Sequence, residues 1–169
     1  LIAPEGINAT IAGRPQLITG TTQTLFPGMK RLSENSVIDI KNRSFSVTAT
    51  LDAATNGPTN GVLIAQGGRF GGWALYVKEN RAKFVYNGGG MGKGGTVTLY
   101  YDGQPVGSGR VDLTQAMIFS ADETTDIGDD YGLPVSADYA AASRFNGRID
   151  VVQIDIGDDD HSHLIDPEE

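Results

Sequence analysis

The sequence contains no cysteine among its 169 residues. Disulfide bonds, thiolate metal sites and thiol nucleophiles are therefore excluded. Basic residues are also scarce: 13 Lys and Arg stand against 21 Asp and Glu, and the formal net charge is -8. Duplex nucleic acids and anionic membrane surfaces attract clusters of basic residues, so we expect neither nucleic acid nor membrane as a partner. No apolar run approaches the roughly 18 residues of a membrane-spanning helix, so no transmembrane segment is expected.

Short segments of alternating apolar and polar residues, separated by glycines and other turn residues, run through most of the chain. Residues 73–77 and 96–100 are clear examples, and the dipeptide Asp102-Gly103 after the second of them is typical of a hairpin turn. Strands are predicted at about residues 22–26, 37–41, 45–51, 62–67, 73–78, 82–87, 95–101, 105–112, 116–121 and 147–156. About nine or ten short strands without helical periodicity predict an all-β fold, a two-sheet antiparallel β-sandwich.

We divide the chain into an extended N-terminal arm, residues 1–34, and a single sandwich domain, residues 35–169. The arm is interrupted by Pro and Gly and carries one short predicted strand. In the domain, the alternation of the last strand slips at Val151 and Val152, which predicts a β-bulge there. The predicted core anchors between the two sheets are Trp73, Phe84, Leu99 and Phe119.

Three phrases of the sequence carry a family resemblance. Residues 67–76 read Gly-Gly-Arg-Phe-Gly-Gly-Trp-Ala-Leu-Tyr, residues 102–107 read Asp-Gly-Gln-Pro-Val-Gly, and residues 119–128 read Phe-Ser-Ala-Asp-Glu-Thr-Thr-Asp-Ile-Gly. Together they resemble the C-terminal β-rich part of large bacterial arylsulfatases, over about residues 13–169. The resemblance implies a concanavalin A-like or laminin-G-like jelly roll. It also implies a non-catalytic accessory domain that packs on the catalytic sulfatase domain or mediates assembly into an oligomer.

The resemblance is interrupted at one point. In the family a longer segment, which supplies a further strand, separates the counterparts of Asn87 and Gly88, whereas here these residues are adjacent. Either a strand pair is lost or residues are absent from this sequence between them, and we favour the second interpretation.

The chain also begins at Leu1 without an initiator Met, which we interpret as a piece of a longer or processed polypeptide. A bacterial cytoplasmic, periplasmic or secreted location remains open.

The sequence lacks the catalytic motifs of sulfatases, serine hydrolases and glycosidases. The parent enzymes hydrolyse sulfate esters with a divalent metal and a formylglycine made from a Cys/Ser-x-Pro-x-Arg motif, and neither Pro105 nor Pro134 has that spacing from a serine. The two histidines, His161 and His163, lie in an acidic tail, and there is no Gly-x-Ser-x-Gly nucleophile motif. No Glu-x-x-x-Glu strand pattern of a glycosidase is present, and the glycine run at residues 88–95 departs from a phosphate-binding loop. We therefore expect no enzyme activity from this chain alone.

An acidic stretch, residues 122–132, is the strongest candidate for a metal site. Ca²⁺ prefers six to eight oxygen ligands, often in irregular loops, although the spacing here is not that of an EF-hand. The alternative is a solvated loop whose carboxylates cap turns. A transition-metal site in the tail, at residues 158–163, is a weaker hypothesis than a surface tail. The candidate calcium ligands are Asp122, Glu123, Asp126, Asp129 and Asp130, with Asp138 close in sequence.

Arg69 and Phe70 lie between two glycine pairs and are the best candidates for ligand contact. The structural interpretation is a hairpin loop with Phe70 packed beneath it; the functional one is that both side chains face a sugar or a neighbouring domain. Tyr76 is predicted to point away from the apolar face of its strand, where it would serve as a stacking platform for a glycan. The alternative function is therefore a stand-alone, calcium-assisted carbohydrate-binding module.

Overall fold

The computed structural model describes residues 17–41, 43–88, 92, 94–115, 119, 123–140 and 143–157. Within these ranges the chain forms nine strands and one 3-10 turn, Glu34–Ser36. No described helix is long and apolar enough to cross a membrane. The strands are β1 (Thr22–Leu25), β2 (Phe45–Asp52), β3 (Gly61–Gly68), β4 (Gly71–Lys78), β5 (Arg81–Asn87), β6 (Gly95–Tyr101), β7 (Gln104–Val111), β8 (Thr125–Ile127) and β9 (Arg148–Ile156).

The strands form two main antiparallel sheets and a separate hairpin. One sheet has the order β1-β9-β2, the second has the order β5-β4-β3-β8, and β6 pairs with β7. The all-β antiparallel sandwich is thus confirmed, whereas the jelly-roll connection stays a prediction. β1 lies in the same sheet as β9, so the strand predicted in the N-terminal arm contributes to the sandwich; the division of the chain at residue 34 stays a prediction.

The core lies between the two main sheets. Alternating residues of β2, β4, β5 and β9 contribute to one apolar cluster that includes Phe119. At its centre, Trp73 is fully buried, and its ring lies 5.9 Å from that of Phe45 and 6.0 Å from that of Phe84. The indole nitrogen of Trp73 donates a hydrogen bond of 2.8 Å to the amide oxygen of Gln66, so its one polar atom is satisfied inside the core.

The four-stranded sheet is covered on its second face as well. β3 is buried along its whole length. If one face of the sheet met water, every second residue of β3 would be exposed. The covering segment lies between β8 and β9, where Val135 and Tyr139 pack against Ala65, Ala74 and Tyr76. This second layer buries Tyr76, one of the predicted site residues.

The turns and the bulge follow the predicted pattern. Asp102 and Gly103 both have positive φ, 47° and 76°, as a two-residue type I′ hairpin turn requires. The pairing of β2 with β9 shifts after Thr50, which faces Val151, because Leu51 faces Ile149. The extra residue is Asp150, so the predicted bulge is confirmed next to its expected position.

Two expectations about the elements are corrected. Residues 37–41 are not a strand: Val37 and Ile38 are buried, and the amide of Ile38 binds the side-chain oxygen of Gln23 at 2.7 Å instead of the backbone of a strand. Leu99 is not a core anchor, because it lies half-buried on the β6–β7 hairpin. The short strand β8 was not predicted. Most of the predicted strand at 116–121 lies outside the described residues.

Candidate functional site

The carboxylate of Asp126 joins two loops of the backbone. It is 2% exposed. One oxygen accepts a hydrogen bond of 2.8 Å from the amide of Arg31, and the other accepts one of 3.0 Å from the amide of Tyr131. Arg31 has a positive φ of 54°, a conformation that is uncommon for a residue with a side chain. The carboxylate therefore holds an unfavourable turn against the loop that follows β8.

Asp130 is equally buried and organises the next part of the same loop. Its Oδ2 accepts hydrogen bonds from the amide of Val135 at 2.9 Å and from the hydroxyl of Tyr139 at 2.5 Å. Burial raises the pKa of Asp130 above its usual value, and the nearby carboxylates of Asp126 and Glu123 add to the increase. The two hydrogen bonds act in the opposite direction without cancelling the effect of burial.

The raised pKa makes the stability of the domain depend on pH through Asp130. The folded protein keeps this proton at pH values where the unfolded chain, with a pKa of about 3.9, has lost it. Stability should therefore fall as pH rises from about 4 through the folded pKa, and Asp130→Asn should remove that contribution. Urea unfolding of both proteins between about pH 4 and 7 measures the difference.

Tyr139→Phe is the matched variant for this experiment. It removes a hydrogen bond that lowers the pKa of Asp130, so it should extend the fall in stability to higher pH. Parallel stability curves for the wild type and Asp130→Asn would contradict the assignment.

Asp129 and Glu123 also bind groups of the protein itself. The Oδ2 of Asp129 pairs with the ammonium of Lys30, while its Oδ1 is buried without a hydrogen-bond partner. Asp129, Lys30 and Arg144 line a cavity of about 190 Å³. The Oε1 of Glu123 accepts a hydrogen bond of 3.2 Å from the amide of Leu133.

These contacts bear on the calcium hypothesis. In the part of the chain that the structure describes, no three His, Asp or Glu side chains form a group that could hold a metal ion. Asp122 lies outside the described residues, as do His161 and His163, and the calcium site therefore stays a prediction. The capping interpretation accounts for the contacts of Glu123, Asp126 and Asp130, whose oxygens accept backbone amides.

Tyr76 is not a surface platform, contrary to the expectation from its strand. It is 5% exposed, because the second face of its sheet is covered, and its ring packs edge-on against that of Tyr139 with centroids 4.9 Å apart. Its hydroxyl donates to the Oδ2 of Asp138 at 2.9 Å. Burial, followed by this hydrogen bond, raises the pKa of Tyr76 to about 12.

Asp138 is the centre of a charged cluster that sequence reasoning missed. The ammonium of Lys78 lies 2.6 Å from one carboxylate oxygen, and that of Lys83 lies 2.7 Å from the other. The hydrogen bonds from Lys78, Lys83 and Tyr76, in that order of importance, hold the pKa of Asp138 well below its usual range. Lys78 is the last residue of β4, and Lys83 lies in β5 opposite Tyr76. Only the pairing of these two strands could have indicated that the two lysines meet.

Arg69 and Phe70 form the tip of the β3–β4 hairpin, and both face solvent. Phe70 is 80% exposed, so the expectation that it packs beneath the loop is wrong. The hairpin below it leaves no room for side chains: a Cβ on Gly67 would collide with the carbonyl of Gly71, and Gly67 has a φ of 75°. With the backbone so closely paired beneath them, the two side chains project outward.

Two further exposed apolar side chains, those of Tyr131 and Leu133, lie in the loop that follows β8. Tyr131 is half-exposed, and the guanidinium of Arg31 lies 4.8 Å from the centre of its ring. The carbonyl of Leu133, a residue that is also exposed, approaches Gly68 at the end of β3. The loop that carries Leu133 therefore lies close to the base of the Arg69–Phe70 tip.

Comparison with known proteins adds no further constraint. No family model, curated protein or solved structure matches the chain.

Proposed function

We propose that this chain is a non-catalytic accessory domain of an arylsulfatase and that it docks on the catalytic domain through the Arg69–Phe70 tip. The observation that supports this proposal best is the 80% exposure of Phe70. Burying a Phe side chain is worth about 1.5–3 kcal/mol relative to leaving it in water. One of the three phrases that carry the family resemblance, residues 67–76, contains this tip.

The support beneath the tip favours docking. β3 is buried along its length and the first four residues of β4 are buried as well, so the tip stands on two rigid strands. A rigid backbone beneath the tip reduces the conformational entropy that binding would cost. Aromatic residues and arginine are also enriched among the residues that dominate binding energy at protein interfaces.

The carbohydrate-binding alternative has less support. Its proposed platform, Tyr76, is buried beneath Tyr139, and a ring packed in this way presents no face to a sugar. Three of its proposed calcium ligands, Glu123, Asp126 and Asp130, accept hydrogen bonds from backbone amides. A sulfatase-associated domain needs neither feature.

Phe70→Asp should weaken docking. The probe is the catalytic domain of a bacterial arylsulfatase encoded in the same genome, produced as a separate chain and titrated with this domain by calorimetry. Replacing an aromatic anchor by a charge should weaken binding by about tenfold or more, since such anchors contribute about 2 kcal/mol or more.

Tyr101→Asp is the matched control. Tyr101 is an exposed aromatic residue at the tip of the β6–β7 hairpin, and its replacement should leave the affinity unchanged. Absence of binding by the wild type, or equal losses for both variants, would contradict the proposed interface. Self-association that Phe70→Asp prevents would instead identify the tip as a contact between copies of the chain.

A further inference from the structure

A cavity of about 190 Å³ lies between three segments of the chain: residues 27–30, 127–129 and 144–149. Backbone hydrogen bonds tie these segments together. The amide of Gly28 donates to the carbonyl of Ile127 at 3.1 Å, and the amide of Phe145 donates to the carbonyl of Gly128 at 2.9 Å. The cavity is therefore preformed, and filling it costs little conformational entropy of the backbone.

The size of the cavity restricts its occupant to a small molecule. At about 30 Å³ for each molecule of liquid water, the cavity has room for about six waters, whereas pockets for drug-sized ligands have about 300–1,000 Å³. Gly28 lines the cavity, and a Cβ at this glycine would meet no atom within 4 Å, so an occupant can approach its backbone. An occupant of about six non-hydrogen atoms fits this space.

The charges on the walls favour an anionic group. Three charged residues line the cavity, and two of them are basic: Lys30, Asp129 and Arg144. The ammonium of Lys30 pairs with the Oδ2 of Asp129, whereas no carboxylate of the described residues pairs with Arg144. The walls thus carry two positive charges and one negative charge, in a chain whose formal net charge is -8. Because a guanidinium binds a carboxylate through two parallel hydrogen bonds, Arg144 favours a carboxylate on the occupant.

Asp129 requires a hydrogen-bond donor at the same place. Its side chain is 7% exposed, and its Oδ1 is buried without a partner among the described residues. A buried acceptor without a donor is costly and rare in folded proteins. The side chain of Lys30, on the other oxygen, is 45% exposed and can shift to admit a donor from the cavity. That donor is a hydroxyl rather than an ammonium, since Lys30 and Arg144 would repel a third positive charge.

We infer that the cavity binds a small α-hydroxy acid, whose carboxylate pairs with Arg144 and whose hydroxyl donates to the Oδ1 of Asp129. The side chains of Ile127, Phe145 and Ile149 supply apolar walls for the carbon skeleton of such an acid. This site is separate from the Arg69–Phe70 tip and does not rest on the proposed function.

Three probes that differ in one substituent test this assignment: racemic lactate, propionate and alanine. Each is titrated into the intact domain at constant ionic strength, and the amide resonances of Gly28, Gly128 and Phe145 are followed by NMR. Lactate should shift these resonances saturably and bind about tenfold or more tightly than propionate, because a hydrogen bond to a charged acceptor is among the stronger ones. Alanine has an ammonium in place of the hydroxyl and should bind no more tightly than propionate.

Arg144→Gln tests the partner of the carboxylate. The variant should bind lactate about tenfold or more weakly, since it loses a charge-assisted pair. Arg144 is exposed, so the replacement should leave the fold intact. Arg81→Gln is the matched control, because Arg81 is equally exposed at the start of β5 and does not line the cavity. The control should bind lactate as the wild type does.

Asp129→Asn tests the partner of the hydroxyl. The removal of a negative charge should affect lactate and propionate alike, so the ratio of their affinities isolates the hydrogen bond to the hydroxyl. This ratio should fall to about threefold or less, because the charged acceptor is lost. A ratio that stays at its wild-type value would exclude Asp129 as the acceptor.

Four further results would overturn the inference. The first is the absence of saturable shifts with lactate, and the second is equal affinity for lactate and propionate. The third is tighter binding of alanine than of lactate, which would require a donor of the opposite charge. The fourth is an equal effect of Arg144→Gln and Arg81→Gln, which would mean that the acid does not pair with Arg144.

Discussion

Trp73→Ala is expected to lower the free energy of unfolding by about 3–5 kcal/mol, the range measured for truncating a large buried aromatic residue. Trp73 is fully buried, and its ring packs between those of Phe45 and Phe84. The truncation also leaves the buried amide oxygen of Gln66 without its donor. Because small domains are stable by only about 5–15 kcal/mol, much of the variant should be unfolded in mild urea.

The measurement is urea unfolding followed by far-UV circular dichroism, since Trp73 is the only tryptophan and its fluorescence is lost with it. Tyr100→Ala is the matched control, because Tyr100 is an aromatic residue exposed on the β6–β7 hairpin. This control should change stability by less than about 0.5 kcal/mol. Equal effects of the two truncations would mean that the two main sheets do not pack around Trp73.

The core was predictable from sequence where alternation and turns determine it. Trp73 shares its apolar phase with Leu75 and Val77, and the sheet that contains it packs that phase inward. The slip between Val151 and Val152 likewise marked the bulge in β9. In both cases the information lies within about ten neighbouring residues, the length over which strand periodicity acts.

Alternation indicates the side on which a residue lies, but it does not tell whether that side meets water. Tyr76 was placed correctly on the face opposite Trp73, yet that face is covered by a loop about 60 residues away in sequence, so the prediction of a surface platform was wrong. Phe70 illustrates the opposite error. Its neighbouring glycines suggested a loop that would cover it, whereas closely paired strands expel it into solvent.

The acidic loop shows the same limit for a candidate site. A dense run of carboxylates supplies ligands for a cation, but it equally supplies acceptors for backbone amides. Which of these partners is present depends on distant segments: Asp126 binds the amide of Arg31, 95 positions away. No local sequence pattern predicts this contact, because Arg31 lies in a loop without periodicity and has an unusual backbone conformation.

Asp126→Ala should lower the free energy of unfolding by about 2–4 kcal/mol. The change leaves two backbone amides, those of Arg31 and Tyr131, without an acceptor in a site where Asp126 is 2% exposed. Both hydrogen bonds are part-buried, and losing such a bond to a charged acceptor costs about 1–3 kcal/mol. Asp126→Asn keeps one acceptor oxygen and should have an intermediate effect, while Asp112→Ala, at an exposed ion pair, should cost less than about 0.5 kcal/mol.

Repeating these unfolding measurements in EDTA and in millimolar Ca²⁺ separates the two interpretations of the acidic loop. Both oxygens of Asp126 accept amide hydrogen bonds, so the ion should change the stability of the wild type by less than about 0.5 kcal/mol. An ion present at 100 times its dissociation constant would instead add about 2.7 kcal/mol. If the wild type gained that much and Asp126→Ala did not, the carboxylate would have to exchange an amide for the ion. Calcium binding would then explain the density of acidic residues better than capping does.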